Sequence, residues 1–235
     1  MKKLAVFVEG QTEQLFIEKL LEEAAGKHNI AIEKRQASGG KSTKRTLAVI
    51  EAKKRDSHHK YFAQIVDCGS DTQVKSDIKE HYDGLVAAGF SAIVGIRDVF
   101  PDSSYEDIPS LRRGLRLYLK TNPLEVKFIL GVMEIETWFI AEHTHLQKID
   151  SSLTPGLIKS RLGFDPSIDD VQLRPHPTED LNRIYRLAGM KYTKDRRTVH
   201  RTVSVLDYER LYLELPSRLP DLKTLVDVIN QFLTP

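Results

Sequence analysis

Acids that close apolar runs are the chemistry-bearing feature of this chain. Leu4-Ala5-Val6-Phe7-Val8 stops on Glu9-Gly10, Ile65-Val66 on Asp67, Val94-Gly95-Ile96-Arg97 on Asp98, and Val132-Met133 runs into Glu134-Ile135-Glu136. If these runs are parallel strands, their carboxylates all point to one edge of a sheet. Ligands of open α/β folds bind beyond the carboxyl ends of the strands. Carboxylates crowded there repel one another unless a cation or basic residues compensate. Mg²⁺, or Mn²⁺ in its place, suits such a site, because it takes one or two carboxylates and keeps waters for a phosphate substrate. Each acid alone also has a plain structural explanation as a helix cap or first-turn residue. Asp71 and Asp107 read that way.

The elements that must position these acids follow from the pattern of the chain. Leu4 to Val8 is too short for a buried helix and rich in β-branched and aromatic residues, so it reads as a strand covered on both faces. Gln11 to Ala25 carries Leu15, Phe16, Leu20, Leu21 and Ala24 at helical spacing, with Thr12 as a candidate cap. Strands are then expected at Ile30 to Ala37, Tyr61 to Val66, Ala92 to Ile96 and Val126 to Val132. Helices are expected at Thr43 to Arg55, Asp71 to Ala88 and Ile108 to Leu119. Such alternation predicts an α/β fold, a mainly parallel sheet with helices on both faces. Beyond Glu142 short helical pieces are broken by prolines and no strand stands out, which predicts a helical C-terminal extension. The domains are accordingly read as residues 1–142 and 143–235.

Two basic stretches are candidates for meeting a phosphate backbone. Ser38-Gly39-Gly40-Lys41-Ser42-Thr43-Lys44-Arg45 has glycines that free backbone amides to approach an anion at a helix start. It is not a Walker A loop, because Arg35 stands five positions before Gly40 where that motif has glycine. The second stretch, Lys191 to Arg201, interleaves Lys191, Lys194, Arg196 and Arg197 with Tyr192, a mixture that suits phosphate neutralisation with base stacking. Solvated loops and helix faces have the same composition. Trp138 and Phe139 read as core.

Composition narrows the classes. With 235 residues, 40% hydrophobic and 29% charged, the chain has the make-up of an ordinary globular protein, and its formal charge of +2 does not itself argue for a polyanionic partner. The single Cys68 excludes an internal disulfide and a cysteine-based zinc site. No signal-like or membrane-spanning run is present, which predicts a cytoplasmic location without a membrane partner. Neither phosphate-loop pattern is complete, which counts against a nucleotide-binding module.

Val8-Glu9-Gly10-Gln11-Thr12-Glu13, Gly39-Gly40-Lys41, Arg97-Asp98 and Glu134-Ile135-Glu136-Thr137-Trp138-Phe139-Ile140-Ala141-Glu142 together resemble a Toprim-like family of bacterial proteins. That family is related to the overcoming-lysogenization-defect nucleases and often encoded beside an ABC-type ATPase. His176-Pro177-Thr178-Glu179-Asp180-Leu181 and Tyr192-Thr193-Lys194 extend the resemblance to nearly the whole chain. It implies a Toprim-like fold and a Mg²⁺-dependent nuclease or related phosphodiester-cleaving enzyme in phage defence. Nucleic acid and an ABC-type ATPase are then the implied partners, with a homo-oligomer left open. The family's metal site pairs the first Glu with an Asp-x-Asp. Here that segment is Asp98-Val99-Phe100, with Asp102 and Asp67 as the candidates for the missing acid. Glu9 would act as ligand or general base, with Asp98 and Asp102 holding one or two ions. Gly10, Gly40, Lys41, Arg97, Lys191, Lys194 and Arg197 would meet substrate. The alternative is a catalytically degenerate subunit that docks on the ATPase or on nucleic acid.

Overall fold

The computed structural model describes residues 1–40, 45–53, 56 and 58–234. The chain forms an α/β fold with a six-stranded sheet in the order β3-β2-β4-β1-β5-β6. The strands are β1 (Lys2–Val8), β2 (Ile30–Ser38), β3 (Thr46–Ala52), β4 (Tyr61–Asp67), β5 (Ala92–Asp98) and β6 (Val126–Gly131). Pairing is parallel for β1 with β4, β1 with β5 and β2 with β4. Val8 is in register with Asp67 and Ile96, so Glu9 follows β1 at the edge where the neighbouring strands also end.

Helices α1 (Gln11–Ala25), α2 (Asp71–Ala87) and α3 (Ile108–Arg116) fall between the strands. After β6 come α4 (Glu136–Ala141), α5 (Thr144–Ile149), α6 (Pro155–Leu162), α7 (Pro177–Arg186), α8 (Arg196–Val203), α9 (Tyr208–Leu213) and α10 (Pro220–Leu233). No strand occurs after β6 among the described residues. None of the described helices is long and apolar enough to cross a membrane.

Two expected features differ. Residues 46–52 form a strand, where Thr43 to Arg55 read as a helix. Thr46, Val49 and Ile50 favour an extended chain, and β3 pairs antiparallel with β2 in a register that sets Lys34 opposite Glu51. Their side chains meet at 2.7 Å, a cross-strand ion pair that a helix would not make. At the start of α1 the cap is made by Glu13 rather than Thr12: its Oε2 accepts from the Gly10 amide at 3.0 Å.

The chain divides into two compact units. The first comprises residues 1–97, 106–129 and 227–235. In it Ala5 and Phe7 of β1 join Val74, Ile78 and Tyr82 of α2 in one buried cluster. The alternate residues Leu4, Val6 and Val8 are buried as well, which explains why β1 is apolar from Leu4 to Val8. The second unit comprises residues 98–105 and 130–226. Its core is built on Trp138, Phe139, Leu181, Tyr185 and Tyr192, all buried, with Tyr185 and Tyr192 edge to face at 6.0 Å.

Candidate metal centre

In the second unit a short connection carries the chain from β6 into α4. Met133 takes a left-handed φ of 61° there, and its carbonyl accepts from the amides of Val99 at 3.1 Å and Phe100 at 2.8 Å. Asp98 Oδ1 accepts from the Ile135 amide at 2.8 Å. Thr137 Oγ1 donates to the Val132 carbonyl at 2.9 Å, which closes the turn from within. Gly131 is required for this approach, because a Cβ at that position would lie 2.3 Å from Asp98 Oδ1.

The turn brings Asp98, Glu134 and Glu136 into one group, with a ligand oxygen of each lying within 4.8 Å of the others. All three are buried. Glu134 accepts from Thr178 twice, from its amide at 2.8 Å and its hydroxyl at 2.7 Å. Glu136 Oε1 accepts from the Tyr192 hydroxyl at 2.7 Å. Lys194, itself at a left-handed φ of 53°, sets its ammonium 3.1 Å from Glu136, 3.3 Å from Glu134 and 3.7 Å from Asp98. Glu136 Oε2 makes no hydrogen bond: the Lys194 contact is close but poorly directed.

The donor set suits a hard divalent cation. Three buried acids share the Lys194 ammonium in a place shielded from water, an arrangement that added positive charge would favour. All the candidate ligands are oxygens, the preference of Mg²⁺ and Mn²⁺. The buried Oε2 of Glu136 is a lone-pair site that the chain itself does not fill.

Asp98, Glu134, Glu136 and Lys194 meet, whereas Glu9, Gly10, Asp67 and Arg97 belong to the first unit. Asp67 accepts from the Gly69 amide at 2.8 Å, and burial pushes its carboxyl up. Arg97 lies 3.6 Å from Asp71 and is buried. Asp102 is exposed in the second unit and is not among the three grouped acids. Gly40 is exposed, and Lys41 with its neighbours to Lys44 lies outside the described residues. Lys191, Arg196 and Arg197 are exposed. Tyr192 is 1% exposed, so it cannot stack on a base as expected, and its hydroxyl instead anchors Glu136. Sequence reading missed Thr178 and Gly131 as parts of the site. The only signal for Thr178 was its place in the His176 to Leu181 motif.

Glu142, the last residue of the motif that begins at Glu134, holds a separate buried network. It accepts from the amides of Thr144 at 3.1 Å, His145 at 3.2 Å and Asp207 at 3.0 Å, and from the Thr144 hydroxyl. Burial pushes its carboxyl up, but the bonds and charge from His145, with those from Thr144 and Asp207, outweigh it and hold the carboxyl below the usual range. A depressed folded pKa contributes stability that is complete above the unfolded value, about 4.3, and lost as pH falls through the folded one. Glu142→Gln should therefore cost about 2 kcal/mol at neutral pH, with the gap to the parent closing under acid. Urea midpoints at neutral and acid pH, read from the single Trp138, would measure this. A gap independent of pH would show that the ionised form is not what stabilises the network.

Cys68 is buried, and burial pushes its thiol up, which leaves it unreactive. No protein-family model, curated protein or solved structure matches this chain, so the meaning of the acidic group rests on its own geometry.

Proposed function

We propose that the protein is a divalent-cation-dependent, phosphodiester-cleaving enzyme of Toprim-like type, acting on nucleic acid in phage defence, with its cation held by Asp98, Glu134 and Glu136. The observation that carries this reading is the buried three-carboxylate group with an unfilled oxygen on Glu136. A cation bound there would supply charge stabilisation to a phosphoryl oxygen and a lowered pKa for a water. Thr178 and Tyr192 hold Glu134 and Glu136 in place, the kind of outer support that ligating carboxylates need. The segment that delivers Lys194 to the acids also leaves Lys191, Arg196 and Arg197 exposed in the same unit, where they can meet a phosphate backbone.

Incubating the purified protein with single- and double-stranded DNA and RNA, with Mg²⁺ or Mn²⁺ and with chelator, tests the proposal. Cleavage is expected with the cation and none with chelator; equal cleavage in both would refute a cation-dependent enzyme.

One observation favours a second reading. Lys194 already contacts all three acids, so the group also works as an internal ion-pair anchor in a non-catalytic subunit that docks on an ATPase or on nucleic acid. Calorimetry separates the two, since the anchor needs no divalent ion.

A further inference from the structure

From Ile108 to Asn122, within the first unit, the chain carries Arg112, Arg113, Arg116 and Lys120 and no acid. Ile108 to Arg116 is α3, and Leu117-Tyr118-Leu119 follows it. Leu115 is buried, and Leu119 packs against the buried cluster that holds Phe7 and Tyr82, so these two leucines pin the segment to the core. Leu117 and Tyr118 stand out from it, 55% and 86% exposed.

Neither the backbone nor the packing explains Tyr118. Its φ is 56°, a left-handed conformation that suits glycine and that a bulky side chain rarely adopts. Its ring makes no hydrogen bond or ring contact among the described residues. An aromatic side chain held against its backbone preference with its ring in water points to a partner outside the chain.

Arg113 and Arg116 precede it in the last turn of α3. Three apart on a helix, they are neighbours on one face, with about 5–6 Å between Cβ atoms. Both are exposed and neither forms an ion pair with a described residue, whereas Lys120 is engaged by Asp83 at 2.8 Å.

Cations in a last helical turn ordinarily answer the helix dipole. Here Lys75 of α2 already does so, donating to the Gly114 carbonyl at 2.7 Å. The two guanidinium groups are therefore left for an external anion.

We infer that this surface binds single-stranded nucleic acid, with an unpaired base stacked on Tyr118 and phosphates held by Arg113 and Arg116. The guanidinium fork matches phosphate with paired hydrogen bonds, and an exposed ring accepts the face of any base. A duplex keeps its bases stacked on one another and offers none to the ring. The inference rests on the proposed function in taking nucleic acid as the ligand, and goes beyond it in naming a single strand and a site for it in the first unit.

Fluorescence anisotropy of labelled oligothymidylate and oligouridylate, titrated with the full chain in chelator so that nothing is cleaved, tests the inference. At least one of them is expected to bind more tightly than a duplex of equal length or polyglutamate. Tyr118→Ala should weaken binding by about tenfold with its salt dependence unchanged, and Tyr118→Phe should keep the parent affinity. Arg113→Gln combined with Arg116→Gln should weaken binding and lower the slope of log affinity against log salt by about 1.4, at about 0.7 for each phosphate contact. Tyr118→Gly should lose affinity as Tyr118→Ala does while melting no lower than the parent, which separates loss of the ring from loss of the fold. Absence of saturable binding by both oligomers overturns the inference, as does a duplex or polyglutamate binding as tightly. Parent affinity in Tyr118→Ala, or an unchanged salt slope in the double arginine variant, overturns it as well. Glu136→Gln should bind the strand as the parent does, so a protein that binds in chelator yet does not cleave with the cation refutes the cleavage reading alone.

Discussion

Glu136→Gln is expected to lower the affinity of the protein for Mn²⁺ or Mg²⁺ by at least about a hundredfold, and to lower cleavage in proportion. Glu136 is wholly buried, and its Oε2 is the atom the chain leaves unbonded, so the substitution removes one negative ligand with almost no change of shape. Lys194→Met makes the complementary case. Removing the ammonium takes a shared counter-charge from three buried acids, which should destabilise the protein by about 3 kcal/mol in chelator. A divalent cation should restore much of that, because a ligand that binds only the folded state stabilises it by mass action. The parent's melting temperature should respond less, since its cation has to compete with the ammonium. Melting curves of parent, Glu136→Gln and Lys194→Met across a Mn²⁺ titration would show both effects. If no variant responds to the cation, the acidic group is an internal anchor and the metal centre is wrong.

Gly131→Ala should cost about 3 kcal/mol, an unusually large penalty for one methyl group. The added Cβ would lie 2.3 Å from Asp98 Oδ1 and 2.8 Å from the Ile135 nitrogen, the two atoms whose hydrogen bond closes the turn. Nothing flexible can give way: one neighbour is backbone, and the other is a short carboxylate fixed by that bond. Gly156→Ala is the control. Its Cβ would meet nothing within 4 Å, so in α6 it should be neutral or stabilise by a few tenths of a kcal/mol. Urea unfolding followed by Trp138 fluorescence compares the pair. A parent-like midpoint for Gly131→Ala would mean that Asp98 is not held against this turn.

Much of the sheet was determined locally. Runs such as Leu4 to Val8 and Ile93 to Ile96 are apolar at every position because both faces of the strand are buried, and that signal needs no partner to be read. The helix at Gln11 to Ala25 is equally local, since Leu15, Phe16, Leu20 and Leu21 recur at helical spacing and all four are buried. The placing of acids at strand ends is likewise a property of the sequence.

Only tertiary structure decided the rest. Thr46 to Ala52 is short enough to satisfy helix or strand, and pairing with β2, sealed by Lys34 and Glu51, selects the strand. The same holds for the site. Glu134 meets Thr178 across 44 positions and Lys194 across 60, and Glu136 meets Tyr192 across 56. No periodicity or spacing encodes contacts at such separations. They arise because the helices after β6 pack around Trp138 and Tyr185, and that packing carries a lysine into three carboxylates and withdraws a tyrosine from solvent. The sequence determined which residues stood ready at the ends of strands, while long-range burial decided which of them share one buried space.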